Sequence, residues 1–174
     1  MRVVLDSVMA VVITPGATKM LTDDMKRVLR EYPLGFVATV GADGAPRVSP
    51  KGSFVIIDDA TIAYGDIRSP GTTRNLASDP RVEVSFIDPF LRKGYRFGGI
   101  ATVTERGQEE FERLHRHLKE SSLASRMRAI VAIKIAQALP VTSPIYDDGR
   151  SEIDVRKSFV TRFRKQQPNG RYEE

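Results

Sequence analysis

The chain has 174 residues, 41% hydrophobic and 28% charged, a size and balance that suit one globular domain with a core of its own. It contains neither Cys nor Trp, which excludes disulfides, thiol nucleophiles, Cys-ligated zinc and iron–sulfur clusters and points to a reducing compartment. The net charge of +5 is uneven, with 10 Lys and Arg against 11 Asp and Glu in residues 1–90 and 17 against 11 in residues 91–174.

The amino end, MRVVLDSVMAVVITPG, is an apolar patch broken by Asp6 and without a cleavage motif. No signal peptide is expected there, no apolar run approaches the ~18 residues of a membrane span, and the expected location is cytoplasmic with no membrane partner. Met9 offers an alternative start to Met1. The expected plan is a single domain, with an extension over about 1–17, a barrel core over 18–145 and a carboxy-terminal helix and tail over 146–174.

MLTDDMKRVLREY reads as the first helix. Thr22 is placed to cap it, Asp23 and Asp24 favour the positive end of its dipole, and Met25, Val28 and Leu29 form one apolar stripe before Pro33 stops it. The period then changes to two. GFVATV is a strand, GADGA a hairpin turn, and PRVSPKG the return strand, whose Pro46 and Pro50 suit an edge or a bulge. SFVIID and TIAYGD make the next hairpin. After a short helix come RVEVSFID and YRFGGIATVT, where the tandem Gly98-Gly99 suggests a bend or a close backbone approach.

Six short strands with tight turns predict a mainly β fold with flanking helices, an antiparallel barrel closed or nearly so. GQEEFERLHRHLKE follows as a helix with Phe111, Leu114 and Leu118 on one face. His115 shares that face and His117 points away, so the two cannot chelate together and no metal site is expected. RAIVAIKIAQALPV alternates as a strand, with a helix left as the alternative by its Ala content; VTSPIYDDG is a loop, SEIDVRKSFVTRFRK a closing helix, and 167–174 a frayed tail.

Two clusters invite chemistry. Ser69-Pro70 is a strong helix start, after which the N–H groups of Gly71, Thr72 and Thr73 lack intrahelical partners, with Arg68 and Arg74 alongside. Such a segment serves either as a capped connecting helix with surface arginines or as a cradle for phosphate. In PRVSPKG, Arg47, Ser49 and Lys51 fall on one strand face while Val48 and Pro50 face the other way. That polar row faces solvent or lines a groove. No Ser-His-Asp set and no working carboxylate pair follows from the spacing.

These segments, in the order LGFVATVGADGAPRVSPKGSF, IAYGDIRSPGTTRNLASDPRVEVSF and YRFGGIATV, resemble the FMN-binding split β-barrel family related to pyridoxamine 5′-phosphate oxidase. The likeness spans roughly residues 20–145. It implies a six-stranded split barrel and a homodimer that holds the flavin in the cleft between two copies. By position it implies that Arg47, Val48, Ser49, Pro50 and Lys51 run along the flavin. Tyr64, Gly65 and Asp66 would contact the ring or ribityl chain. Arg68, Ser69, Gly71, Thr72, Thr73 and Asn75 would grip the phosphate, and Arg96 would arrive from the second copy.

The resemblance further implies a flavin-dependent oxidoreductase acting on a small molecule, with NAD(P)H as a candidate electron donor. Many members carry Lys or Arg where this chain has Gly71 and Thr72, which leaves deazaflavin, or an empty site, as alternatives to FMN. Pyridoxamine phosphate oxidases end in a segment rich in Trp and Arg that this Trp-free chain does not match. The rival reading is a non-enzymatic flavin, deazaflavin or haem binding module. A nucleic-acid-binding domain using the basic carboxy half ranks last, because only 7% of residues are aromatic and no RNA-binding motif is present.

Overall fold

The computed structural model describes residues 20–166. The amino-terminal extension over 1–17 and the frayed tail over 167–174 fall outside them. The elements in chain order are α1 (Asp23–Glu31), β1 (Gly35–Val40), β2 (Pro46–Lys51), β3 (Phe54–Asp58), β4 (Thr61–Asp66), α2 (Pro70–Ser78), β5 (Arg81–Asp88), β6 (Lys93–Glu105), α3 (Glu109–His115), β7 (Ala129–Thr142) and α4 (Glu152–Gln166).

The seven strands form one antiparallel sheet in the order β2-β1-β5-β6-β7-β4-β3. This corrects the expectation of six strands: the 14-residue β7 is built in between β6 and β4. It also corrects closure, since β2 and β3 end the ladder and do not pair among the described residues. Only Gly52 and Ser53 separate these two edge strands in the chain, so the sheet must roll until its opposite edges meet at that corner. Hydrogen bonding stops there because β2 carries Pro46 and Pro50, which have no N–H to give a second neighbour.

Local chemistry accounts for the joints. In the β1–β2 turn, Gly44 has a φ of 75° and Asp43 Oδ1 accepts the Ala45 N–H at 3.1 Å. The β6–β7 register shifts between Gly98 and Gly99, and a Cβ on Gly99 would lie 2.2 Å from the Lys134 carbonyl oxygen. The tandem glycines thus do mark a bulge with close backbone approach.

Apolar side chains pack on both faces of the rolled sheet. Inside it, Val37, Tyr64, Val84, Phe86, Phe97 and Ile133 are fully buried, closed over by Val28 and Leu29 of α1 and Leu76 of α2. Against the other face of β4 and β7, α3 lays Phe111 and Leu114 on Ala63, Met127 and Ile130. His115 stacks on Phe111 at 5.3 Å, with Nε2 3.1 Å from the Ala124 carbonyl, and has a structural role.

The carboxy-terminal helix α4 docks on the β5–β6 turn and buries only Val155. Arg156 donates to the buried Asp88 at 3.0 Å, while Phe159 lies under Arg92 at 5.1 Å and Phe163 meets Phe90 edge-on at 5.5 Å. Among the described residues no helix is long and apolar enough to cross a membrane.

Candidate cofactor-binding site

Three chain segments meet where the rolled sheet fails to close: the end of β2, the end of β4 and the start of α2. Lys51 is the last residue of β2 and points inward, its residue only 7% exposed. Its ammonium donates to Ser49 Oγ on its own strand and to Ser69 Oγ, 2.7 Å away, at the start of α2. It also lies 5.8 Å from the centre of the Tyr64 ring. Burial lowers the Lys51 pKa below its ordinary 10.5, and the charge of Asp66 opposes that shift.

Across the gap, β4 alternates so that Tyr64 and Asp66 face the interior and Gly65 faces α3. Asp66 is 1% exposed. One carboxylate oxygen accepts the Ser69 N–H at 3.1 Å; the other has no hydrogen bond among the described residues and lies 3.6 Å from the Arg128 guanidinium. Arg128 also donates its backbone N–H to the Asp66 carbonyl at 2.8 Å, which fixes it beside the end of β4. The Tyr64 phenol is buried without a hydrogen-bond partner among the described residues, and that burial, helped by Asp66, pushes its pKa up.

The start of α2 departs from expectation in two respects. Ser69 holds the N-cap position, yet its side chain makes no cap bond, because the hydroxyl is engaged by Lys51. The Thr73 N–H is not free either, since it donates to the Ser69 carbonyl at 3.2 Å. That leaves the N–H groups of Gly71 and Thr72 without an acceptor among the described residues. Gly71 is exposed and a Cβ there would meet nothing within 4 Å, so the approach from its side is open, while Thr72 is buried.

The other candidate residues divide. Arg68 and Arg74 are exposed beside α2. Asn75 donates to Thr39 Oγ1 at 3.0 Å and ties α2 to β1, while the Thr73 hydroxyl returns to the Pro70 carbonyl at 3.2 Å. Gly65 has both its N–H and its carbonyl engaged by Ser53 Oγ, at 3.1 and 3.2 Å. Arg47 shares the face of Ser49 and Lys51 but turns back to Asp43 at 2.8 Å. Val48 and Pro50 lie on the outer face with Arg96, which pairs with Glu83 at 3.2 Å; the row Pro50, Phe36, Ser85, Arg96 runs across four strands there. Arg96 is therefore separated from the Lys51 of its own chain by the thickness of the sheet.

The sequence reading missed Arg128 and Ser53. Arg128 joins the site because Asp66 pairs with Ala129 in the β4–β7 ladder, a long-range register that no local period records.

The cluster combines a buried ammonium and a buried carboxylate with two half-buried serine hydroxyls and two free amides. The ammonium, hydroxyls and amides are groups that hold an oxyanion at a helix start, and the carboxylate opposes one. No set of three metal-ligating side chains occurs among the described residues.

The sequence profile described as pyridoxamine 5′-phosphate oxidase matches residues 21–142. No curated protein matches the chain. Among solved structures, HupZ of Group A Streptococcus is similar at 28% identity and a TM-score of 0.63, over 71% of this chain and 96% of HupZ. An FMN-binding protein of Syntrophomonas wolfei shares the fold at 17% identity and a TM-score of 0.60, over 71% of this chain and 87% of its own.

Proposed function

The chain belongs to the pyridoxamine 5′-phosphate oxidase family, and from that premise we propose that it binds a flavin through its phosphate and serves as a flavin-dependent oxidoreductase. The observation that carries this reading is the convergence of Lys51 on Ser69 at the start of α2, beside two amides with no acceptor. A phosphate fits these donors: Lys51 supplies charge, Ser49 and Ser69 supply hydroxyls, and Gly71 and Thr72 supply backbone N–H groups. When bound, the flavin supplies the redox chemistry, and the chain's own residues bind, orient and shield it.

The same reading includes a homodimer. The outer sheet face exposes Phe36 at 48%, Val48 at 65% and Ile100 at 50%, an apolar surface that a second copy would cover. Arg96 on that face is the residue the second copy would offer. A small-molecule substrate and NAD(P)H as electron donor complete the proposal.

The test is direct. Purified protein should show a flavin spectrum or take up added FMN, with the released cofactor identified by mass. Lys51→Ala should weaken FMN binding on the order of tenfold, as expected for loss of a charge-assisted contact, and Arg68→Ala, which removes an exposed and solvent-screened charge, should weaken it less. A colourless protein that takes up no flavin overturns the proposal; one that binds flavin but is not reduced by NAD(P)H is a carrier or sensor.

A further inference from the structure

We propose that this site is built for a singly charged oxyanion ester and disfavours the doubly charged phosphate monoester, because a buried carboxylate shares the cradle with its lysine. The inference rests on the flavin reading above and concerns which class of flavin or deazaflavin the site takes.

Lys51 and Asp66 are both buried where α2 begins, one touching the Ser69 hydroxyl and the other the Ser69 N–H. Their charges offset each other. Arg128, 3.6 Å from Asp66 and 59% exposed, adds one positive charge at the rim. Arg68 and Arg74 remain in solvent, and Arg47 is held by Asp43. The first negative charge of a ligand meets a cradle with one positive charge to spare. The second finds no further buried cation, is repelled by Asp66, and must still be stripped of water.

Asp66 is not needed as a carboxylate for the loop itself. The Ser69 N–H requires only an acceptor, which an amide oxygen provides equally. The second carboxylate oxygen is buried, makes no hydrogen bond among the described residues and lies 3.6 Å from the Arg128 guanidinium, so the carboxylate adds negative charge at the buried end of the cradle.

The experiment compares FMN with riboflavin 5′-sulfate, which has the same ring and ribityl chain and a single charge. Riboflavin gives the baseline and flavin fluorescence the readout. At pH 8 the FMN phosphate is doubly charged, its second pKa being about 6. Wild-type protein should bind the sulfate ester about tenfold more tightly than FMN, and Asp66→Asn should raise FMN affinity about tenfold while moving the sulfate ester less than about threefold. Arg128→Gln should act in the opposite sense, weakening FMN more than the sulfate ester.

If Asp66→Asn does not fold, the wild-type comparison and Arg128→Gln decide. A wild-type preference for FMN, or equal shifts of both ligands in the variants, overturns the charge selectivity and leaves flavin binding intact. Failure of all three flavins to bind overturns both.

Discussion

Lys51 is held in a place that its charge resists, and its titration should show it. Its pKa lies below 10.5 in the folded chain, so between the folded and unfolded values the unfolded chain binds more protons and folding gains stability as pH rises. The same rise removes the ammonium that an anion needs. Wild-type protein should therefore gain thermal stability relative to Lys51→Met as pH climbs through the alkaline range toward 10.5, while its affinity for FMN falls over that range. Lys51→Arg, which does not titrate there, should keep its affinity level. Stability and affinity moving in the same direction would show that Lys51 is not the group responsible. Individual side chains were the hardest part to read from the sequence. The row of Arg47, Ser49 and Lys51 follows from a period of two, but the distant partners decide what each does: Arg47 goes to Asp43 and Lys51 to Ser69.

The elements themselves were legible wherever their own pattern determined them. Alternation marked each strand, prolines placed β2 at an edge, and the tandem glycines marked the β6 bulge. The number of strands in the sheet and its failure to close were not legible, because both depend on pairings between distant segments such as β4 with β7. Helix α4 shows the same limit: its composition announces a basic closing helix, yet its anchor is Asp88, more than sixty residues away in sequence. Removing that anchor leaves a buried carboxylate without its guanidinium. Arg156→Ala should lower stability by about 1–2 kcal/mol in urea unfolding and open α4 to proteolysis before the sheet. An unchanged midpoint and digestion pattern would mean that the aromatic contacts, buried Val155 and the Lys93–Glu152 ion pair suffice to hold the helix.

For the whole molecule, function is also a matter of assembly, since the outer face, on the side away from Lys51, exposes Phe36, Val48 and Ile100. Val48→Asp, on the edge strand of that face and 65% exposed, should leave the fold intact and halve the mass measured by light scattering from that of a dimer to that of a monomer. Equal masses for the two proteins would remove this face as the interface. The two prolines of β2 bear on how such a pair can form. A free strand edge normally invites another strand, and chains that join edge to edge can add copies without limit. With Pro46 and Pro50 on that edge, a third-party strand finds missing donors at two of six positions. Growth by ribbon extension is therefore hindered at the β2 edge, and the burden of keeping strands from adding to this sheet falls on its other edge, β3, which has no proline.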